Sequence, residues 1–232
     1  AAAIVDAARL AQDGWWVTLG IRPTRPSSAY GYIAPGPAIP GHGRATQVAQ
    51  FLEKPDVDKA VALISSGCVW NAGIFVVKAG TAVELIAGHA RDVYEAVQRA
   101  VAEIAIDQQF YRLQPEAFSS SPSISIDYAV LEKAPRVAVI PYDGDWSDLG
   151  SWDAVAGVHA ADDNGNRAEG DAWFSSAENC FVHSPKKLAV VLGLKDIIVV
   201  DTPDALLVTS RDNVEQVKSV VDDLKTAQRS EL

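Results

Sequence analysis

The sequence predicts an α/β chain, with sheet and helices alternating over residues 1–162 and a small β-rich part over 163–232 that closes on a helix. Three observations predict it. Runs rich in β-branched and aromatic residues alternate with amphipathic helical patterns up to Asp162. The apolar runs end in glycine, proline or polar clusters, the punctuation of strand ends and loops. After Asp162, four short β runs follow at even spacing, with a fifth near Ala205–Thr209. That texture reads as stacked β coils or a small β appendage.

Taken in order, Ala1–Asp13 places Ile4, Ala7, Ala8 and Ala11 on one helical face, and Gly14 stops the helix. Trp15–Leu19 reads as a buried strand, and Gly20–Ala29 as a loop holding Pro23 and Pro26. Tyr30–Ile33 is a short strand whose Gly31 lets the backbone approach another group closely. Pro35–Gly43 reads as an exposed hairpin tip, and Thr46–Leu52 returns as a strand. A short helix over Val57–Ser66 leads to Trp70-Asn71-Ala72-Gly73 and a strand over Ile74–Lys78. Thr81 to Glu84 has the spacing of a capping box, and a second helix is expected from Arg91 to Ile106. Gln108–Ser123 is irregular. Asp127–Lys133 is a short helix after Ser125, and Arg136–Ile140 a strand. A polar turn, Trp146–Trp152, precedes a helix to His159, and Val214–Leu224 closes the chain with Asp212 as a candidate cap.

Composition narrows the function. The chain has 232 residues, 48% hydrophobic and 22% charged, which is ordinary globular composition. Its net charge of −10 leaves no basic surface for nucleic acid. No apolar run approaches the ~18 residues that suggest a membrane span, so no membrane partner is expected. Cys68 and Cys180 form no C-x-x-C, and the four histidines show no metal spacing. Reduced thiols in a cytoplasmic protein follow.

Three loops carry candidate chemistry. Phe51-Leu52-Glu53-Lys54-Pro55 ends a strand, with Pro55 pushing Lys54 toward extended geometry. Ligands of open α/β sheets bind at the carboxyl ends of strands. Lys54 can act as a point charge on phosphate, and Glu53 can accept hydrogen bonds from hydroxyls; the plainer alternative is a solvated ion pair. Asn71 offers donor and acceptor to a hydroxyl, or stabilises a turn. Asp148 is a hard oxygen ligand of the kind Mg²⁺ uses beside substrate phosphates, or bonds to its own backbone. Trp70, Trp146 and Trp152 read as core or wall packing. Together the loops fit a sugar phosphate with a divalent cation.

In this order the motifs resemble those of the bacterial mannose-1-phosphate guanylyltransferases, including the form fused to a mannose-6-phosphate isomerase domain. The matching pieces are Val17–Ile21, Tyr30–Ile33, Phe51–Pro55, Trp70–Phe75, Ser125–Lys133 and Trp146–Trp152, then Asn179-Cys180, Asp201–Ala205 and Gln216–Lys218. The resemblance implies a nucleotidyltransferase-like mixed sheet flanked by helices. It implies that GTP and mannose 1-phosphate give GDP-mannose and pyrophosphate. It places Lys54 on the sugar phosphate, Glu53 on mannose hydroxyls, Gly31 and Asn71 beside the sugar, and Asp148 on Mg²⁺, with Lys54 and Asp148 as the catalytic pair. It gives Asp127 no assigned role, and helix capping is the alternative.

The sequence also departs from the family. The Gly-rich loop and following basic residues that hold nucleotide phosphates are absent from these 232 residues. Pro26-Ser27-Ser28-Ala29 stands where the family has Pro-Glu-Thr-Gly. The expectation is therefore an N-terminally shortened enzyme that keeps the sugar-phosphate site, lacks most of the GTP site and is inactive alone. The alternatives are a non-catalytic sugar-phosphate-binding or regulatory module and a nucleotidyltransferase for another hexose 1-phosphate. A shortened sheet is expected to expose an apolar edge, which a homodimer could cover.

Overall fold

A computed structural model describes residues 2–107 and 109–229. The chain divides into two compact units, Ala1–Trp146 and Ser147–Leu232. Helix α6 (Trp152–Gly157) belongs to the second unit, where its Ala156 is buried against Phe181 and Val214.

The first unit is built on five strands: β1 (Trp16–Ile21), β2 (Tyr32–Ala38), β3 (Thr46–Leu52), β4 (Val69–Val76) and β7 (Val137–Tyr142). They hydrogen-bond in the order β1-β4-β2-β3-β7 and close into a barrel, with β1 parallel to β7 and the other pairs antiparallel. The sheet is mixed, as expected, but the expected open edge does not exist. Its physical reason is that the start of β3 uses both edges: Thr46 pairs with Ala38 of β2 on one side, and Thr46 and Gln47 pair with Val139 and Ala138 of β7 on the other, closing the ring.

Every residue of β1 is buried. Val17, Leu19 and Ile21 pack against Ala7 and Leu10 of helix α1 (Ala2–Gln12). Trp16, Thr18 and Gly20 alternate onto the other side. Helix α2 (Val57–Ser65) is capped by the Asp56 side chain, which accepts from the Lys59 amide. Helices α3 (Ala79–His89) and α4 (Arg91–Ala102) follow β4. The Thr81 capping box does not form: α3 opens two residues earlier, with Lys78 at its cap and no side-chain cap bond.

Other boundaries move for local reasons. The strand expected from Ile74 begins at Val69, because β4 pairs with β1 and β2 on both sides of Asn71. The helix expected to reach Ile106 stops at Ala102, and β5 (Ala105–Asp107) pairs with β6 (Phe110–Arg112). Helix α5 (Pro115–Ser119) lies in the stretch expected to be irregular. Asp127–Leu131 is a single π-helical turn whose Ala129, Val130 and Leu131 pack beside Trp16 and Val137.

In the second unit β8 (Arg167–Ser175), β9 (Phe181–Leu192) and β10 (Ile197–Asp201) run parallel, with β11 (Leu206–Ser210) antiparallel at the end. The runs expected near Cys180–His183 and Leu188–Leu192 are one continuous strand, β9. Phe181, Ile198 and Val200 form one core, and Cys180, Val182 and Val191 another. Both cysteines are free and buried. Asp212 does not cap the last helix. Ser210 precedes a 3-10 turn over Arg211–Gln216, and α7 (Val217–Thr226) continues from it. Among the described residues no helix is long and apolar enough to cross a membrane.

Candidate functional site

The strand end after β3 forms the first wall. Leu52 pairs with Tyr32, which sets Gly31 beside Glu53. A Cβ on Gly31 would fall 2.6 Å from Glu53 Oε2 and 3.3 Å from the Phe51 ring, so a larger residue there would push the Glu53 carboxylate aside. The Glu53 side chain is 12% exposed and that of Lys54 62%, with Lys54 Nζ 3.2 Å from Glu53 Oε1. The ion pair expected at this corner exists, and its ammonium faces solvent with N–H groups to spare. One expectation fails. Lys54 is not extended but left-handed, at φ 46°. Pro55 disfavours the right-handed region for Lys54, and the chain turns away from β3 through the left-handed one instead.

Asn71 forms the second wall, held by a break in the ladder. Strand β1 pairs Thr18 with Phe75 but Gly20 with Asn71, so β4 bulges over Ala72–Ile74. Bulges of this kind re-aim side chains beside functional sites. Gly73 lies within the bulge at φ 68°, which a residue without a Cβ adopts freely. Its N–H donates to Asn71 Oδ1 at 3.2 Å, and the fully buried Thr18 hydroxyl donates to the same oxygen at 2.7 Å. Asn71 Nδ2 donates to Asp127 Oδ1 at 3.3 Å, and the Asn71 backbone N–H donates to Gly31 O at 2.8 Å. The turn-stabilising reading of Asn71 fits its oxygen, and its nitrogen faces a carboxylate.

Asp127 is the residue whose role sequence reasoning left open. It does not cap the π-helical turn, which has Ile126 at its cap position, while Ser125 Oγ accepts from the Tyr128 amide. Burial, and next the charge of Glu53, push the Asp127 carboxyl above its ordinary value. Its own backbone and the Lys54 ammonium pull it back. Glu132 is raised too, by burial first and then by Asp127 and Glu53. Gly31, Glu53, Lys54, Asn71 and Asp127 therefore converge on one region of the first unit, with Thr18 beneath. Nothing in the spacing of Thr18 marks it as a site residue. Only the fold sets its hydroxyl against Asn71.

Tyr30, Trp70 and Trp146 stack edge-on, with centroids 4.8 Å apart for Tyr30–Trp70 and 5.4 Å for Tyr30–Trp146. They are wall packing, as expected. Where Pro26-Ser27-Ser28-Ala29 replaces the family pattern, the Ser27 N–H donates to Tyr32 Oη at 3.0 Å and the loop is pinned to the buried tyrosine.

Asp148 belongs to the second unit. It lies in a turn where Leu149 is left-handed at φ 51° and donates its N–H to Ser147 Oγ. Among the described residues no group of three or more His, Cys, Asp or Glu side chains could hold a metal by itself. A hard carboxylate such as Asp148 suits a cation that takes most of its ligands from water and substrate phosphates, which is how Mg²⁺ is commonly held.

A model of the nucleotidyl transferase family matches residues 1–165, and one of the MannoseP isomerase/GMP-like beta-helix domain matches residues 176–224. The mannose-1-phosphate guanylyltransferase of Klebsiella pneumoniae is 40% identical over 231 residues, which are 99% of this chain and 49% of that protein. The xanthan biosynthesis protein XanB of Xanthomonas campestris pv. campestris (strain B100) is 41% identical over 99% of this chain and 48% of its own length. The crystal structure of mannose-1-phosphate geranyltransferase from Thermus thermophilus superposes with a TM-score of 0.82 at 33% identity, covering 97% of this chain and 64% of that one. The chain spans about half the length of the curated relatives it matches.

Proposed function

The chain belongs to the nucleotidyl transferase family, and from that premise we propose that it is the sugar-phosphate-binding portion of a mannose-1-phosphate guanylyltransferase. The observation that carries this reading is the convergence of Lys54, Glu53, Asn71 and Asp127 in the first unit. An exposed ammonium beside two carboxylates and an amide suits a ligand with one phosphate and several hydroxyls. The names of the relatives support mannose 1-phosphate as that ligand and GTP as the co-substrate.

In the reaction a phosphate oxygen of mannose 1-phosphate attacks the α-phosphorus of GTP. The new P–O bond forms as the α–β bridge breaks, and pyrophosphate leaves. Little covalent work falls to the protein, so positioning and charge neutralisation dominate. Lys54 holds and neutralises the sugar phosphate. Glu53 accepts from mannose hydroxyls, Gly31 lets the backbone come close, and Asn71 donates to a sugar oxygen. Mg²⁺, with Asp148 among its ligands, would neutralise charge on the phosphates. The product, GDP-mannose, would serve polysaccharide synthesis, in line with the xanthan and alginate biosynthesis proteins among the relatives. A cytoplasmic location and a homodimer belong to the same proposal.

Titration calorimetry of the 232-residue chain with mannose 1-phosphate tests it. Saturable binding is expected, weakened at least about tenfold by Lys54→Ala, since a charge-assisted contact is worth roughly 1.5–3 kcal/mol. Binding unchanged by that substitution would remove Lys54 from the site.

A further inference from the structure

We infer that Thr18, a buried strand residue outside every candidate ligand contact, is a positioning residue that locks the Asn71 amide so that only an N–H faces the ligand. The inference rests on the sugar-phosphate reading of the site and deepens it by giving the polarity of one contact.

Donors and lone pairs fix the orientation of the Asn71 amide. An amide oxygen accepts two hydrogen bonds, and an amide nitrogen donates two. Asn71 Oδ1 already receives the Gly73 N–H at 3.2 Å and the Thr18 hydroxyl at 2.7 Å. One Nδ2–H goes to Asp127 Oδ1 at 3.3 Å. The oxygen is thus fully used, and one N–H is left. The orientation of a side-chain amide is often ambiguous between oxygen and nitrogen, but not here. A backbone N–H can only donate, so the atom facing Gly73 is the oxygen. A carboxylate that carries its charge can only accept, so the atom facing Asp127 is the nitrogen.

Thr18 makes this orientation costly to reverse. It is fully buried, and rotation of the amide would leave its O–H without the Asn71 oxygen it donates to and set an N–H against the Gly73 N–H. The Asn71 side chain therefore meets its ligand as a donor, which selects an acceptor oxygen: a phosphate oxygen, a ring oxygen or a hydroxyl lone pair. It cannot accept from a sugar hydroxyl. That task falls to the Asp127 and Glu53 carboxylates. Two neighbouring groups with opposite, fixed polarity read a sugar's oxygens more stringently than one amide free to flip.

Thr18→Val keeps the branched shape and removes the hydroxyl, and Thr18→Ser restores it. The measurements are calorimetry with mannose 1-phosphate and the hydrogen exchange of the Asn71 side-chain amide by NMR, both on the 232-residue chain. Thr18→Val is expected to weaken binding about five- to tenfold and to speed Asn71 amide exchange by a similar factor. Thr18→Ser is expected to return both toward the parent values. Equal loss in both variants would mean that Thr18 acts only through shape and would overturn the inference, as would a Thr18→Val chain with parental affinity and exchange. If the parent chain fails to bind mannose 1-phosphate, the sugar-phosphate reading falls, while the amide exchange of the two free variants still decides whether Thr18 holds Asn71.

Discussion

Asp127 carries a carboxyl that burial makes costly to the fold. Burial and the neighbouring Glu53 raise it above the ordinary carboxylate value of about 3.9. A raised acid favours the protonated folded state. The stability it contributes is fully present below the unfolded value and is lost as pH rises through the folded one. Asp127→Asn removes that penalty and keeps an oxygen to accept from Asn71. The variant should be more stable than the parent at pH 7, with the gap closing toward pH 4 in urea titrations, while affinity for mannose 1-phosphate falls. A gap that does not change with pH would contradict this account. The left-handed backbone of Lys54 also costs about 1–3 kcal/mol.

Among the elements, β4 does the most to build the site, because its bulge both turns Asn71 and returns the Gly73 N–H to it. Gly73→Ala meets open space, so its effect isolates the backbone. It should cost about 1–2 kcal/mol of stability, read by chemical denaturation, through the left-handed φ alone. Much of this level was legible in the sequence. Thr46–Leu52 is a strand at the expected bounds, and α2 begins where Asp56 caps it. The failures have physical causes. Thr81 to Glu84 satisfies the capping-box spacing, but α3 starts at Ala79 and carries Thr81 inside its first turn. Pro35 and Pro37 read as a loop, yet both lie in β2, whose pairing with β3 shifts register around Pro35. The Glu53–Lys54 and Asn71 positions could be read from motifs. The Thr18 and Asp127 contacts could not, since they span 53 and 56 residues of chain and form only through tertiary pairing.

Over the whole molecule, each unit carries its own core. Phe181 is fully buried in the second unit among Ile198, Val200 and Ala156. Phe181→Ala should cost about 3–5 kcal/mol, seen as faster amide exchange along β9 and β10. Protection unchanged there would place Phe181 outside that core's support. Closure of the first unit has a further consequence, which concerns time. Strand β1 is buried over its whole length, and its parallel partner β7 begins at Val137, opposite Trp16. At about 5–20 residues per second a ribosome needs on the order of 6–25 s to make the intervening segment. Until β7 is made, Trp16–Ile21 has no partner before β4 (Val69–Val76) exists and only that one afterwards. An apolar ribbon waiting this long is a natural client for a holding chaperone, and newly made chains should aggregate most during synthesis, before the barrel has its last stave.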